Sequence, residues 1–134
     1  TLRETRGLGL PWSPELVERA RRAVGGTVAA ARFAVGHGLG MNLGGGTHHA
    51  GRDFARGYCL FNDVAVALWR LRAEGRVRRA LIVDCDVHQG DGTADTLVSF
   101  IGPRQNLFDV HSSHVDSPPF SSGMEEPNSA QSFA

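Results

Sequence analysis

The sequence predicts an α/β fold built on a parallel central sheet, and three observations carry that prediction. Apolar strand-like runs alternate with helical patterns after an N-terminal helix, in the order strand, helix, strand, helix, strand. That is the rhythm of parallel strands joined by crossover helices. The run Ala80-Leu81-Ile82-Val83 ends in Asp84-Cys85-Asp86-Val87-His88-Gln89-Gly90-Asp91-Gly92. An earlier run, Leu39-Gly40-Met41-Asn42-Leu43, opens into a glycine-rich loop that carries His48-His49. Open parallel sheets keep their sites beyond the carboxyl ends of strands. Both polar segments are therefore expected at one sheet edge.

The elements follow in order. Ser13-Pro14-Glu15 is a helix start, with Ser as N-cap, Pro at the first helical position and an acid in the first turn. Leu16, Ala20, Ala23, Val24, Thr27, Val28 and Ala31 keep helical spacing, so the helix is expected to run to about Ala34. Gly25-Gly26 either lies inside it at a close contact or breaks it, at a cost of roughly 2 kcal/mol relative to alanine. Leu39–Leu43 is expected as a short buried strand, and residues 44–59 as a loop. Asn62 caps a helix running through Trp69 to Glu74, with Val64, Leu68 and Leu71 inside and Gly75 at its end. Arg79–Asp84 is the strongest strand in the chain and is expected to be buried. Thr93–Phe100 reads as a short helix and Asn106–Val110 as a third strand. Beyond His111 the periodicity ends. Residues 112–134 are rich in Ser, Pro and Glu and are expected to form an irregular tail without stable secondary structure.

With 134 residues, 41% hydrophobic and 21% charged, the chain reads as one globular domain. No apolar run reaches the 18 residues of a membrane helix, and no signal-peptide pattern opens the chain. Because it starts at Thr1, we expect a fragment whose true start lies upstream. Residues 1–79 hold 13 Arg against 6 acids and residues 80–134 hold 1 Arg against 8, so a zero net charge hides a +7 and a −7 half. The arginines lie beside Glu15 and Glu18 on a helix surface or flank a loop, with no interleaved aromatics. Nucleic acid and membranes are therefore not expected partners. Cys59 and Cys85 form no CxxC pair and are expected to be free thiols in a reducing cytoplasm.

Three carboxylates and an imidazole after an apolar strand have no cheap structural explanation, since a buried unpaired carboxylate costs several kcal/mol. Residues two apart on a strand share a face, so Asp84, Asp86 and His88 converge if strand geometry persists past Asp84. Asp with His and an open side is half of a catalytic zinc site. Two sequential histidines point the same way only in an irregular loop, for which Gly44-Gly45-Gly46 supplies backbone freedom. A polarising metal ion and a histidine base form a coherent set for activating water.

Three ordered segments, Gly45-Gly46-Thr47-His48-His49-Ala50, Gly57-Tyr58-Cys59-Leu60-Phe61-Asn62-Asp63 and Asp84 through Gly92, resemble the core of the histone deacetylase family. Gln89 is similar to the class IV and bacterial branch. The resemblance covers roughly Pro11 to Leu97 and implies a three-layer arginase/deacetylase-like fold, here incomplete. It implies a partial deacetylase domain over residues 1–111 and a foreign tail over 112–134, as a frameshift would produce. By residue, it implies Asp86 and His88 as zinc ligands and His49 as general base, with His48 as its electrostatic helper. Asp84 and Asp91 would accept from His48 and His49 respectively. Gly57 and Tyr58 would wall a tunnel for an acyl-lysine-like chain. Backbone carbonyls around Asp84, Asp86 and His88 would bind a potassium ion. The implied substrate is an acetylated protein or a small acetylated amine. The family takes its third zinc ligand from a downstream Asp and stabilises the tetrahedral intermediate with a downstream Tyr. This chain ends before either, so weak zinc binding and little turnover are expected of it alone. Asp109, Asp116 and His114 are not assigned as substitutes.

Other readings fit the residues less well. Asp84-x-Asp86 after a strand also resembles haloacid dehalogenase-like phosphotransfer with Asp84 as nucleophile, but His88 sits where Thr or Val is usual and the histidine pair goes unexplained. Arginase-like manganese enzymes favour paired metals and more Asp ligands. A phosphate loop at Gly44-Gly45-Gly46 lacks its Lys. Asn62 and Asp63 read as a helix cap rather than a site. A non-enzymatic remnant or interaction segment remains the alternative from a different class.

Overall fold

The computed structural model describes residues 7–98 and 108–112. In chain order the elements are α1 (Pro14–His37), α2 (Asp63–Ala73), β1 (Ala80–Asp84), α3 (Asp91–Val98) and β2 (Phe108–Ser112). Ser13 starts α1 as its sequence requires, accepting from the Leu16 amide at 3.1 Å. The helix passes through Gly25-Gly26 unbroken and ends beyond Ala34, where the Gly38 amide donates to the Ala34 carbonyl at 2.7 Å. No residue of α1 is buried, so the helix covers its neighbours without being covered.

Two polar anchors hold α1 to α2. Arg32 forks onto the Glu74 carboxylate at the end of α2, which also takes Arg70 at 2.8 Å and Arg76 at 3.2 Å. These guanidinium partners, Arg32 foremost, lower the Glu74 pKa to about 2. Near the other end of α2, Thr27 Oγ1 donates to Asp63 at 2.5 Å. Asn62 caps α2 through the Ala65 amide at 3.0 Å, and Gly75, with φ 69°, closes it. The buried side of α2 is made by Ala65, Ala67 and Leu71, while Val64 and Leu68 are half-buried.

β1 and β2 pair in parallel, Ala80 opposite Phe108 through Asp84 opposite Ser112, with α3 in the connection between them. The parallel pairing is as expected; a three-layer arrangement is not formed by the two strands and three helices described. Two strand expectations need correction. Leu39–Leu43 is irregular, and Leu39, Met41 and Leu43 are 76%, 76% and 93% exposed. No described strand lies beside it. Instead, Asn42 Nδ2 donates to the Ala23 carbonyl and to Thr27 Oγ1, tying the segment to α1. β1 is also not buried on both faces, because Leu81 and Val83 point outward with 67% and 61% of their surface exposed. Alternate strand residues face opposite ways, and the described elements cover only one face. Ser112, expected to open the tail, is the last residue of β2. The rest of the expected tail, Phe100 and Asn106 lie outside the described residues.

The best-buried region is where α2, α3 and the loop over residues 44–62 meet. Its apolar members are Leu8, Ala50, Cys59, Ala65, Ala67, Leu71 and Leu97. His48, Asn62, Asp63 and Thr93 are buried among them. Polar side chains at such depth need hydrogen-bond partners, and the partners they find define the site.

Candidate active site

His48 and His49 sit in a turn within the loop, just after Gly44-Gly45-Gly46, and each finds its own carboxylate. His48 Nδ1 meets Asp84 Oδ2 at 2.5 Å, at the carboxyl end of β1. His49 Nδ1 meets Asp91 Oδ1 at 3.3 Å, in the first turn of α3. The two rings lie 4.2 Å apart between centroids, tilted by 50°. A carboxylate on Nδ1 places the proton there and leaves the lone pair of a neutral imidazole on Nε2. Burial, followed by the positive fields of His48, His88 and Arg56, lowers the His49 pKa from its usual value, against the opposing charge of Asp86. His49 is thereby set as an uncharged imidazole near neutral pH.

Strand geometry stops at Asp84. Asp84 Oδ1 accepts from the Asp86 amide at 3.0 Å, and Asp86 Oδ1 accepts from the His88 amide at 2.8 Å. Two successive side-chain turns of this kind, rather than a continued strand, set the path of the segment. They bring Asp86 Oδ1 to 2.9 Å from His88 Nδ1 and 4.0 Å from His48 Nε2, and the His88 ring to 5.8 Å from that of His49. Hydrogen bonds from His88, first its amide and then its ring, hold the Asp86 carboxyl below its usual range. The pair is held by a hydrogen bond at 2.9 Å, closer than the about 3.3 Å that separates two ligands on a tetrahedral zinc ion, although a carboxylate oxygen and an imidazole nitrogen are donor types that zinc takes. Among the described residues, no group of three or more His, Cys, Asp or Glu could hold a metal ion.

Arg56 is a neighbour that the sequence reading missed. Its guanidinium pairs with the Asp91 oxygen not facing His49, and it stacks 5.1 Å from the Phe54 ring centroid. No spacing rule links positions 56 and 91. Gly57 has a positive φ of 56°, and a Cβ there would lie 2.5 Å from His49 Cδ2, so the glycine lets the loop pass directly against the ring. Tyr58 is 68% exposed with φ 64°, a left-handed conformation that a tyrosine rarely adopts. An apolar cleft of about 900 Å³, lined in part by Leu8, Trp12, Phe54, Phe61 and Trp69, touches none of the histidines or site carboxylates. Chemistry, not cleft size, locates the candidate site. Cys85, between Asp84 and Asp86, is exposed and unbridged, and Cys59 is buried and free.

Fold and cluster together place the chain among α/β proteins that carry a polar site at the carboxyl end of a parallel strand. Comparison with known proteins narrows that class. The histone deacetylase domain family matches residues 3–133, and the chain belongs to that family. Membership implies the arginase/deacetylase fold. The chain is 50% identical over 94 residues to an uncharacterized protein of Picosynechococcus sp., a stretch covering 70% of this chain and 31% of that protein. It is 41% identical over 98 residues to the acetoin utilization protein AcuC of Bacillus subtilis, covering 69% and 25%. It is 39% identical over 72 residues to histone deacetylase 2 of Arabidopsis thaliana, covering 54% and 19%. The chain thus spans about a third or less of these relatives. Phosphotransfer on Asp84 finds no support: the family match is to histone deacetylases, and both Asp84 oxygens are already engaged, Oδ2 by His48 and Oδ1 by the Asp86 amide. No described helix is long and apolar enough to cross a membrane.

Proposed function

We propose that the chain supplies the histidine half and two metal ligands of a zinc-dependent amide hydrolase that removes acetyl groups from acetyl-lysine in proteins or from a small acetylated amine. The observation that carries this reading is the pair of adjacent histidines, each bonded through Nδ1 to its own carboxylate. One His–Asp pair is common in proteins. Two side by side, with an Asp-x-His segment alongside, match the needs of amide hydrolysis.

Asp86 and His88 would hold the zinc ion, which when bound polarises the amide carbonyl and lowers the pKa of water. His49 Nε2 takes a proton from the attacking water and returns it to the leaving amine nitrogen. His48, bonded to the carboxylate of Asp84, supports charge developing nearby. Asp84 and Asp91 fix the tautomers and orient the rings. Gly57 and Tyr58 form the wall that receives the acyl chain. The reading is tested by zinc content and acetate release from an acetyl-lysine peptide and from an acetylated polyamine, measured on the whole protein. Asp86→Ala is expected to lose both zinc and turnover. Full turnover without zinc would end the proposal.

A further inference from the structure

We propose that Asn62 and Asp63 are positioning residues that clamp the backbone on both sides of His48-His49, so that the start of α2 sets the geometry of the proton-transfer pair. This inference rests on the hydrolase reading above and adds residues to it.

A helix cap needs one acceptor, and Asn62 Oδ1 supplies it to the Ala65 amide. Everything else these two side chains do is surplus to capping. Asp63 is 1% exposed, and its carboxylate accepts from the Gly46 amide at 3.0 Å, the Thr47 amide at 2.8 Å, Thr47 Oγ1 at 2.8 Å and Thr27 Oγ1 at 2.5 Å. None of the four donors is a charged side chain. Burial alone would push the Asp63 pKa up, but these bonds outweigh it and hold the group ionised. Thr47 Oγ1 also accepts from the Asp63 amide at 3.1 Å, closing a reciprocal pair.

Asn62 works on the other side. Its Nδ2 faces the Ala50 carbonyl at 3.0 Å, Thr93 Oγ1 at 2.9 Å and the His48 carbonyl at 3.4 Å. The His48 carbonyl also accepts from the Thr93 amide of α3 at 3.0 Å. Residues 46 and 47 are therefore tied to Asp63, and residues 48 and 50 to Asn62. The glycines before the histidines gain a role by the same geometry. A Cβ at Gly45 would lie 2.6 Å from Asp63 Oδ2 and 2.8 Å from Thr27 Oγ1, so only glycine lets the loop close on the carboxylate. Near-attack geometry is sensitive enough that about 1 Å of misplacement costs on the order of 10²-fold in rate.

Asn62→Ser separates clamp from cap, because serine caps a helix as well as asparagine does but lacks the amide donors. In the whole protein, kcat is expected to fall by about 10²-fold with KM unchanged. Nitrogen-15 spectra of the imidazoles are expected to show shifted His48 and His49 ring signals in the folded variant, a readout independent of turnover. Thr47→Val is expected to act similarly, with Thr47→Ser recovering most of the loss because it keeps the hydroxyl. A folded Asn62→Ser with unchanged ring signals and kcat overturns the clamp, as does equal loss in both Thr47 variants. If Asn62→Ser does not fold, the Thr47 pair decides. If Thr47→Val also fails to fold, these residues hold the fold rather than the histidines, and the clamp is again overturned. Full activity in His49→Ala would instead sink the hydrolase reading itself, whatever the clamp variants do.

Discussion

The two halves of the candidate site are built differently. The histidine half is enclosed: the side chains of His48 and Asp84 are 10% and 15% exposed, and those of His49 and Asp91 are 20% and 23% exposed. The half proposed to hold the metal is open, with Asp86 and His88 side chains 50% and 71% exposed. The first is locked by contacts reaching from α2 and α3. The second is shaped by turns within its own five residues. Proton transfer depends on an orientation that these elements can fix by themselves, whereas catalytic zinc is normally gripped by three protein ligands.

The largest effect is expected from His49→Ala in the whole protein, a loss of roughly 10²–10⁴ in kcat with zinc retained, because general acid–base catalysis is worth that much. Loss of zinc in this variant would show that His49 is a ligand and that the two halves are not separate. Next, the 134-residue chain is expected to give up zinc readily to a chelator and to show little turnover, since Asp86 and His88 would fill only two positions of the proposed site. Zinc retained through dialysis against EDTA would reveal a third ligand within it. Asp63→Asn should then cost about 1.5–3 kcal/mol of stability, the range for a hydrogen-bonded charged group. Because the folded pKa of Asp63 is lowered, its contribution is fully present above the unfolded pKa of about 3.9 and fades as pH falls through the folded value. Urea titrations of both proteins from neutral to acid pH should therefore converge. A smaller shift concerns His49, whose lowered pKa keeps it neutral. The acid limb of kcat/KM should fall below pH 6.5, the ordinary imidazole value, and a limb above it would contradict the assignment.

Much of the site was legible because its chemistry is local in sequence. Strand β1 announces its own end by the change from Val83 to Asp84, and Ser13-Pro14 and Asn62 mark their helices. The carboxylate partners of His48 and His49 followed from family resemblance, and the geometry pairs the same residues. Leu39, Met41 and Leu43 misled. Alternation tells which residues share a face, but a strand also needs a hydrogen-bonded neighbour, and that is a property of distant chain. The same limit hid the second role of Asn62 and Asp63. A cap is readable from the residues that follow it, but the reach of Asn62 Nδ2 to the Ala50 carbonyl depends on how the loop folds back. Arg56 escaped notice because its partner Asp91 is brought close only by α3.

The left-handed backbone of Tyr58 has a consequence for protein engineering. A non-glycine residue held there carries about 1–3 kcal/mol of conformational strain. Glycine relieves that strain, so Tyr58→Gly is expected to appear as a gain in a thermal-shift screen, reduced by the extra freedom glycine gives the unfolded chain. The same substitution removes the aromatic wall proposed for the acyl chain. Selection for heat resistance alone would thus drift toward a sturdier protein with a poorer grip on substrate, the trade-off expected wherever a strained residue serves function.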